Sequence, residues 1–218
     1  MITARLSVMM FLQFFIWGCW FVTLGTFLAA NFQASGAETG LAFSTQSWGA
    51  IIAPFIIGLV ADRYFNAERI LAVLHLSGAV LMYLMFRAEN FGQFYPYVLA
   101  YMIAYMPTLA LVNSISFRQL SDPSRQFSLV RVWGTVGWIV AGLVISFVFH
   151  WDSREAVAGG ALRNTFLMGA VMSLLLGVFS LTLPATPPTD TGKEGFSLRP
   201  ALGLDALELL RHRNFLVF

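Results

Sequence analysis

The stretch LSVMMFLQFFIWGCWFVTLGTFLAANF, residues 6–32, holds no charged side chain. It exceeds the ~20 apolar positions that a helix needs to cross a hydrocarbon core about 30 Å thick. It is also too long for the ~7–15-residue core of a secretory signal, and no small-residue cleavage pattern follows a short core, so it is expected to be a retained first span. Working outward, five more apolar runs follow at 41–61, 70–86, 92–117, 131–149 and 164–183, and another begins at 214. The runs are continuous rather than alternating, which favours helices over a barrel. Composition agrees: 58% of residues are hydrophobic, 11% are charged, and mean hydropathy is +0.73. A soluble chain carries roughly 25% charge, so these residues cannot build a water-facing surface. The expectation is an all-α polytopic membrane protein: six transmembrane helices in a bundle and the start of a seventh. Cys19 is the only cysteine, so no intramolecular disulfide can form.

Charge sets the orientation. One family of connections holds Arg5, Arg63, Arg69, Arg118, Arg125, Arg131, Lys193, Arg199, Arg211 and Arg213; the other holds only Arg87, Arg154 and Arg163. Cationic residues concentrate on the cytoplasmic side, which places the N-terminus in the cytoplasm. Residues 1–184 read as the bundle and 185–212 as a cytoplasmic linker, with 213–218 opening a truncated seventh helix. Pro184, Pro187 and Pro188 mark the start of a solvated linker. Within it, residues 202–210 suit a short amphipathic surface helix, with Asp205 near its start and Arg211 near its end.

Span five carries the most informative polar set. Arg131, Thr135 and Trp138 stand at i, i+4 and i+7 and share a helical face. If the helix begins at Asp122-Pro123, a cap followed by proline at its first position, Arg131 lies about 12 Å along it. Lipid exposure there would cost several kcal/mol, so the guanidinium is expected to face a cavity or a partner. Guanidinium donors, a hydroxyl and a flat indole suit a polar ring compound such as a nucleoside. The alternative is an interfacial positive-inside arginine beside a packing tryptophan.

Span one has a second stripe, Gln13, Trp17, Trp20, Leu24 and Phe27. A glutamine unsatisfied in lipid is costly, so this face is expected to point away from lipid. Gln13 and Trp17 are candidates for the cavity, Trp20 and Phe27 for packing. In span four Tyr101, Tyr105 and Thr108 share a face, and Asn113 and Ser116 either line a pore or cross-link helices. His75, inside span three, is a hydrogen-bonded packing residue or a proton relay. At the end of span two, Gly58, Asp62 and Arg63 suit a conformational latch: glycine permits close approach, and the charged pair can bond a neighbouring helix end. Asp152, Arg154 and Glu155 read as solvated loop charge. No hydrolase, zincin or P-loop pattern is present, so neither an enzyme nor a cofactor or metal site is expected, and no nucleic-acid partner.

Several strings together resemble the nucleoside:proton symporters of the major facilitator superfamily. They are Phe11-Leu-Gln-Phe, Trp17-Gly and Thr23-Leu-Gly in span one, and Gly58-Leu-Val-Ala-Asp62-Arg63 after span two. Ala104-Tyr-Met-Pro-Thr-Leu, Asn113-Ser-Ile-Ser, Arg131-Val-Trp-Gly-Thr-Val-Gly and Leu202-Gly-Leu-Asp-Ala complete the set. One departure is Tyr64-Phe-Asn-Ala-Glu-Arg69, where the superfamily usually has a glycine–arginine turn. The resemblance implies the N-terminal half of the major facilitator fold, in a bacterial inner membrane. It implies that Arg131, Thr135 and Trp138 face a central nucleoside site. It also implies proton coupling that depends on a second six-helix half not contained in these residues. Rivals are the same fold acting on another polar solute, such as a sugar, and a non-transporting membrane subunit.

Overall fold

The computed structural model describes residues 2–56 and 65–188. Gly58, Asp62, Arg63, the amphipathic stretch 202–210 and the seventh span lie outside the described residues. Among the described residues eight α-helices follow in order: α1 Ile2–Gly18, α2 Leu24–Phe32, α3 Gly36–Ile56, α4 Ala67–Arg87, α5 Phe91–Gln119, α6 Pro123–Leu143, α7 Arg154–Ala158 and α8 Asn164–Ser180. There is no strand among the described residues. Four helical stretches, beginning at Ala67, Phe91, Pro123 and Ala161, are long and apolar enough to cross a membrane. Their outer faces carry side chains that water would not tolerate in such number: Val73 is 64% exposed, Val80 58% and Phe147 71%.

The first span differs from the expected continuous run. The helix breaks after Gly18 and resumes at Leu24. Inside the break, the Cys19 thiol donates to the Ile16 carbonyl (3.1 Å) and the Thr23 hydroxyl to the Trp20 carbonyl (3.1 Å). Side chains that bond back onto the preceding turn compete with the backbone ladder and bend helices. The loop from α2 to α3 is a capping box: Glu38 accepts from the Ser35 N–H and hydroxyl, and the Ser35 hydroxyl accepts from the Glu38 N–H. These donors hold the Glu38 carboxyl below its usual pKa.

Span five begins as the sequence suggests. Asp122 caps the helix by accepting from the Arg125 N–H, and Pro123 follows at the first helical position. Its outer end closes with a π-helical turn, Val144–Val148.

Packing follows small residues. α1 lies along α6, α3 along α5, and α4 between α5 and α8. A Cβ on Gly137 would strike the Phe11 carbonyl, and one on Gly49 would stand 2.8 Å from the Met102 carbonyl carbon and from Met106 Cγ. Both pairs of helices therefore meet nearly backbone to backbone, where van der Waals contact is the main cohesive force in lipid. Behind α1, Trp20, Phe27, Phe94 and Phe166 form a fully buried aromatic cluster, with the Phe27 and Phe166 rings 4.8 Å apart.

The segment after α8 departs from a solvated linker. Thr186 is buried, its N–H donates to Glu68 (2.8 Å), and its carbonyl accepts from the Ala67 N–H (3.0 Å). Gln119 donates to the Thr186 hydroxyl (2.9 Å), and Arg118 to the Pro187 carbonyl. Residues 184–188 thus satisfy the first turn of α4 and dock on the end of α5. Ala185 and Pro187 are exposed while Thr186 is buried, and residues 189–212 of the expected linker lie outside the described residues.

Candidate functional site

α5 and α6 are consecutive in the chain, yet α5 packs on α3 and α4 while α6 packs on α1. Near their connection the rings of Phe117 and Phe127 stack with centroids 4.2 Å apart. Beyond that stack, side chains of α1 floor the space between them. Phe14 lies beneath Arg131, and Trp17 stands between Tyr105 of α5 (6.0 Å) and Trp138 of α6 (5.5 Å), edge-on to both. Phe21 and Phe43 extend this aromatic wall toward α3, with centroids 5.4 Å apart. The result is a groove with an aromatic floor.

The direction of the Arg131 side chain bears on the two sequence readings. A positive-inside arginine would extend back toward the nearby cytoplasmic surface. Here the guanidinium carbon sits 4.1 Å from the centroid of Phe14, and Nη1 reaches the level of Gly134, where an added Cβ would stand 2.7 Å from it. Since Gly134 lies a turn further along α6, the charge points toward the middle of the bundle. No carboxylate or carbonyl holds it among the described residues. A cation over a ring face contributes about 0.5–2 kcal/mol, and no hydrogen bond engages its five N–H donors among the described residues. Thr135 is exposed on the same face, and Trp138 is half-buried.

Gln13 and Trp17, paired on one stripe by spacing, part company. Gln13 is wholly buried, as are Trp20, Leu24 and Phe27, while Trp17 is half-buried at the groove's edge. The stripe faces the bundle interior, so the expectation of Gln13 in the cavity wall is corrected: it lies one layer behind. Its amide donates to Thr108 Oγ1 (2.7 Å), and its Oε1 pairs with His75 Nε2 (2.8 Å). His75 Nδ1 meets Ser173 Oγ (3.1 Å), and the Tyr105 hydroxyl donates to the Gln13 carbonyl (2.6 Å). Thr108 in turn donates to the Tyr105 carbonyl (2.5 Å), so it accepts from Gln13, and Gln13 Oε1 accepts from His75 Nε2; the Ser173 hydroxyl, with one proton, also reaches the His75 carbonyl (2.9 Å). The chain joins spans six, three, one and four. His75 is therefore a hydrogen-bonded packing residue, and its chain contains no carboxylate.

Two features escaped the sequence. Trp17 Nε1 and Asn113 Oδ1 are covered yet have no hydrogen-bond partner among the described residues. At the outer end, the π-helical turn aims Ser146 at Asp152 (2.5 Å), so that carboxylate, expected in open solvent, borders a cleft of about 220 Å³ with Thr23, Trp138 and Gly142.

Residues 1–218 match the family model described as nucleoside H+ symporter. The chain is 44% identical over 216 residues to the YegT protein of Escherichia coli (strain K12), and 37% identical over 224 residues to the xanthosine permease of the same organism. These alignments take in 99% and 100% of the chain, but 50% of each relative. The chain thus spans about half the length of the curated relatives it matches. Among solved structures, the nucleoside transporter NupG superposes on 100% of the chain, and on 52% of its own, with TM-score 0.83 and 30% identity.

Proposed function

Because this chain belongs to the nucleoside H+ symporter family, we propose that it supplies the N-terminal half of a transporter that carries nucleosides inward together with protons. The fold is all-helical and multi-pass, matching the N-terminal half of a major facilitator transporter. The family and the named relatives are transporters, not enzymes.

In this reading Arg131 and Thr135 hydrogen-bond the nucleoside, and Trp138 and Trp17 offer ring faces and edges to its base. Gln13 acts from behind the wall by holding Thr108 and, through its carbonyl, Tyr105. The single observation that carries the proposal is the guanidinium of Arg131, turned inward over Phe14 and without a hydrogen bond or ion pair among the described residues. A charge at that depth is stable only with a partner. The groove it borders is open on the side away from α1, where a second half would close it. Coupling residues would then lie in that second half, because the polar chain behind α1 is internally satisfied.

The proposal places the protein in the inner membrane with its N-terminus in the cytoplasm, supported by the ten-to-three division of its cationic residues. It keeps Gly58, Asp62 and Arg63 as a latch broken during alternating access, on sequence alone. The test is uptake of radiolabelled uridine by cells lacking nucleoside permeases, with the chain completed by a six-span second half. Uptake abolished by a proton uncoupler is expected. Accumulation of a sugar but not uridine would move the proposal to another solute, and no transport from a membrane-inserted protein would favour the subunit reading.

A further inference from the structure

We infer that the cleft at the far end of α6 is a second solute subsite, where Asp152, Ser146 and Thr23 accept hydrogen bonds from the ribose hydroxyls of a nucleoside. The inference rests on the nucleoside reading above.

The cleft continues the line of the groove. Arg131, Thr135, Trp138, Gly142 and Ser146 recur at helical spacing along α6 and the π-helical turn that follows it. Trp138, Gly142 and Ser146 line the cleft on one side, and Gly18 and Thr23, at the break after α1, line it on the other. Trp138 also borders the groove, edge-on to Trp17, so its indole stands where the two spaces meet. Ser146 lies about 12 Å further along the helix than Trp138 and about 22 Å beyond Arg131. One nucleoside is too short to reach both Arg131 and Asp152, so the cleft is a separate stop.

Two backbone features put Asp152 there. The α-helix gives way to the π-helical turn Val144–Val148, a form found mostly at functional sites. His150 then takes a left-handed conformation, φ 53°, which residues other than glycine adopt at a cost. The chain thereby doubles back. The Trp151 N–H donates to the Ile145 carbonyl (3.1 Å), and the Ser146 hydroxyl donates to the Asp152 carboxylate. A loop charge that served only solvation would need neither feature.

The bonding pattern sets the kind of ligand. Ser146 gives its proton to Asp152, and Thr23 gives its own to the Trp20 carbonyl (3.1 Å). Each hydroxyl is left with lone pairs alone to offer the cleft. Asp152 forms no ion pair among the described residues, although Arg154 is two residues away. Acceptors grouped in this way, one of them charged, call for a ligand rich in donors. The base of a nucleoside mixes donors with acceptors, but its ribose presents hydroxyls on neighbouring carbons, each able to donate. Carboxylates bind such hydroxyls through charge-assisted hydrogen bonds. The donor-only Arg131 sets the opposite demand in the groove, so the two sites grip different parts of the solute.

The test compares uridine with 2′-deoxyuridine, which lacks one of the paired hydroxyls, as competitors for uptake by the complete transporter. Asp152→Asn keeps the shape and an acceptor for Ser146 but loses the charge. It should weaken uridine roughly three- to tenfold and leave 2′-deoxyuridine within about twofold. Ser146→Ala should shift the preference the same way by less, and it serves if the asparagine variant fails to reach the membrane. Equal losses for both solutes, or an unaltered uridine affinity, would overturn the inference while leaving the nucleoside reading intact. So would uptake that requires sodium in the unsubstituted protein and loses that requirement in Asp152→Asn, which would make the cleft a cation site. Absence of uridine uptake by the unsubstituted transporter would overturn both.

Discussion

Two polar regions meet at α1, one on each side, and they are built on opposite terms. Behind the helix, Ser173, His75, Gln13, Thr108 and Tyr105 engage one another through bonds of 2.5–3.1 Å, and each is at most 2% exposed. In front, Arg131 lies over Phe14 and Thr135 is exposed, and neither side chain has a hydrogen-bond partner among the described residues. In lipid a polar group must find a partner inside the protein. The satisfied groups hold the bundle together, and the charge of Arg131 is the group in front that most needs a partner from outside these residues. Bonding state alone does not separate framework from site, because Trp20 Nε1 and the Tyr101 hydroxyl, within the core, are unpartnered among the described residues.

Gly137→Val should have the largest effect, because it breaks the support shared by both regions. Its Cβ would meet the Phe11 backbone, which cannot swing aside. Little folded protein is expected on size-exclusion chromatography from mild detergent, and a normal yield would show that α1 and α6 pack less closely than described.

Gln13→Leu breaks the rear chain alone. It strands a proton donor on His75 and an acceptor on Thr108, at a cost of about 1–3 kcal/mol in stability, nearer the lower end in membranes. Thermal denaturation should show the loss, with uridine affinity changed less than stability. Adding His75→Leu removes a stranded partner, so the double variant should be less destabilised than the sum of the two singles. Strict additivity would mean the chain does not act as a unit.

Gly134→Ala probes the front and should have the smallest effect. The added methyl would stand 2.7 Å from Arg131 Nη1, the end of a flexible side chain, and 2.7 Å from Phe14 Cδ2, so the ring must turn with it. Stability should hardly move, while uridine affinity falls a few-fold as the guanidinium shifts. Unchanged affinity would detach Arg131 from the solute.

Some of this was legible in the sequence, for identifiable reasons. Span number came from apolar length. The start of span five came from Asp122-Pro123, a local signal that tertiary packing does not override, and it put Arg131 at its depth. The break in span one was hidden, because Cys19 and Thr23 bond back within an otherwise unbroken apolar run. Gln13 was misplaced for a geometric reason: residues four apart on a helix differ by about 40°, enough for Trp17 to reach the groove while Gln13 stays in the core. Its partners, His75 and Ser173, come from spans far along the chain, which local periodicity cannot see. The direction of the Arg131 side chain was open too, since it depends on Phe14 and on the space at Gly134.

The central claim, that the front groups serve a solute and the rear groups serve the fold, is tested most directly at Arg131. Uridine binding and ligand-free thermal stability would be measured on the purified complete transporter, unsubstituted and as Arg131→Gln. Loss of a charge-assisted hydrogen bond predicts an affinity at least tenfold weaker, with a melting temperature nearly unchanged. Unaltered affinity with a clear drop in melting temperature would contradict the account and make Arg131 part of the framework.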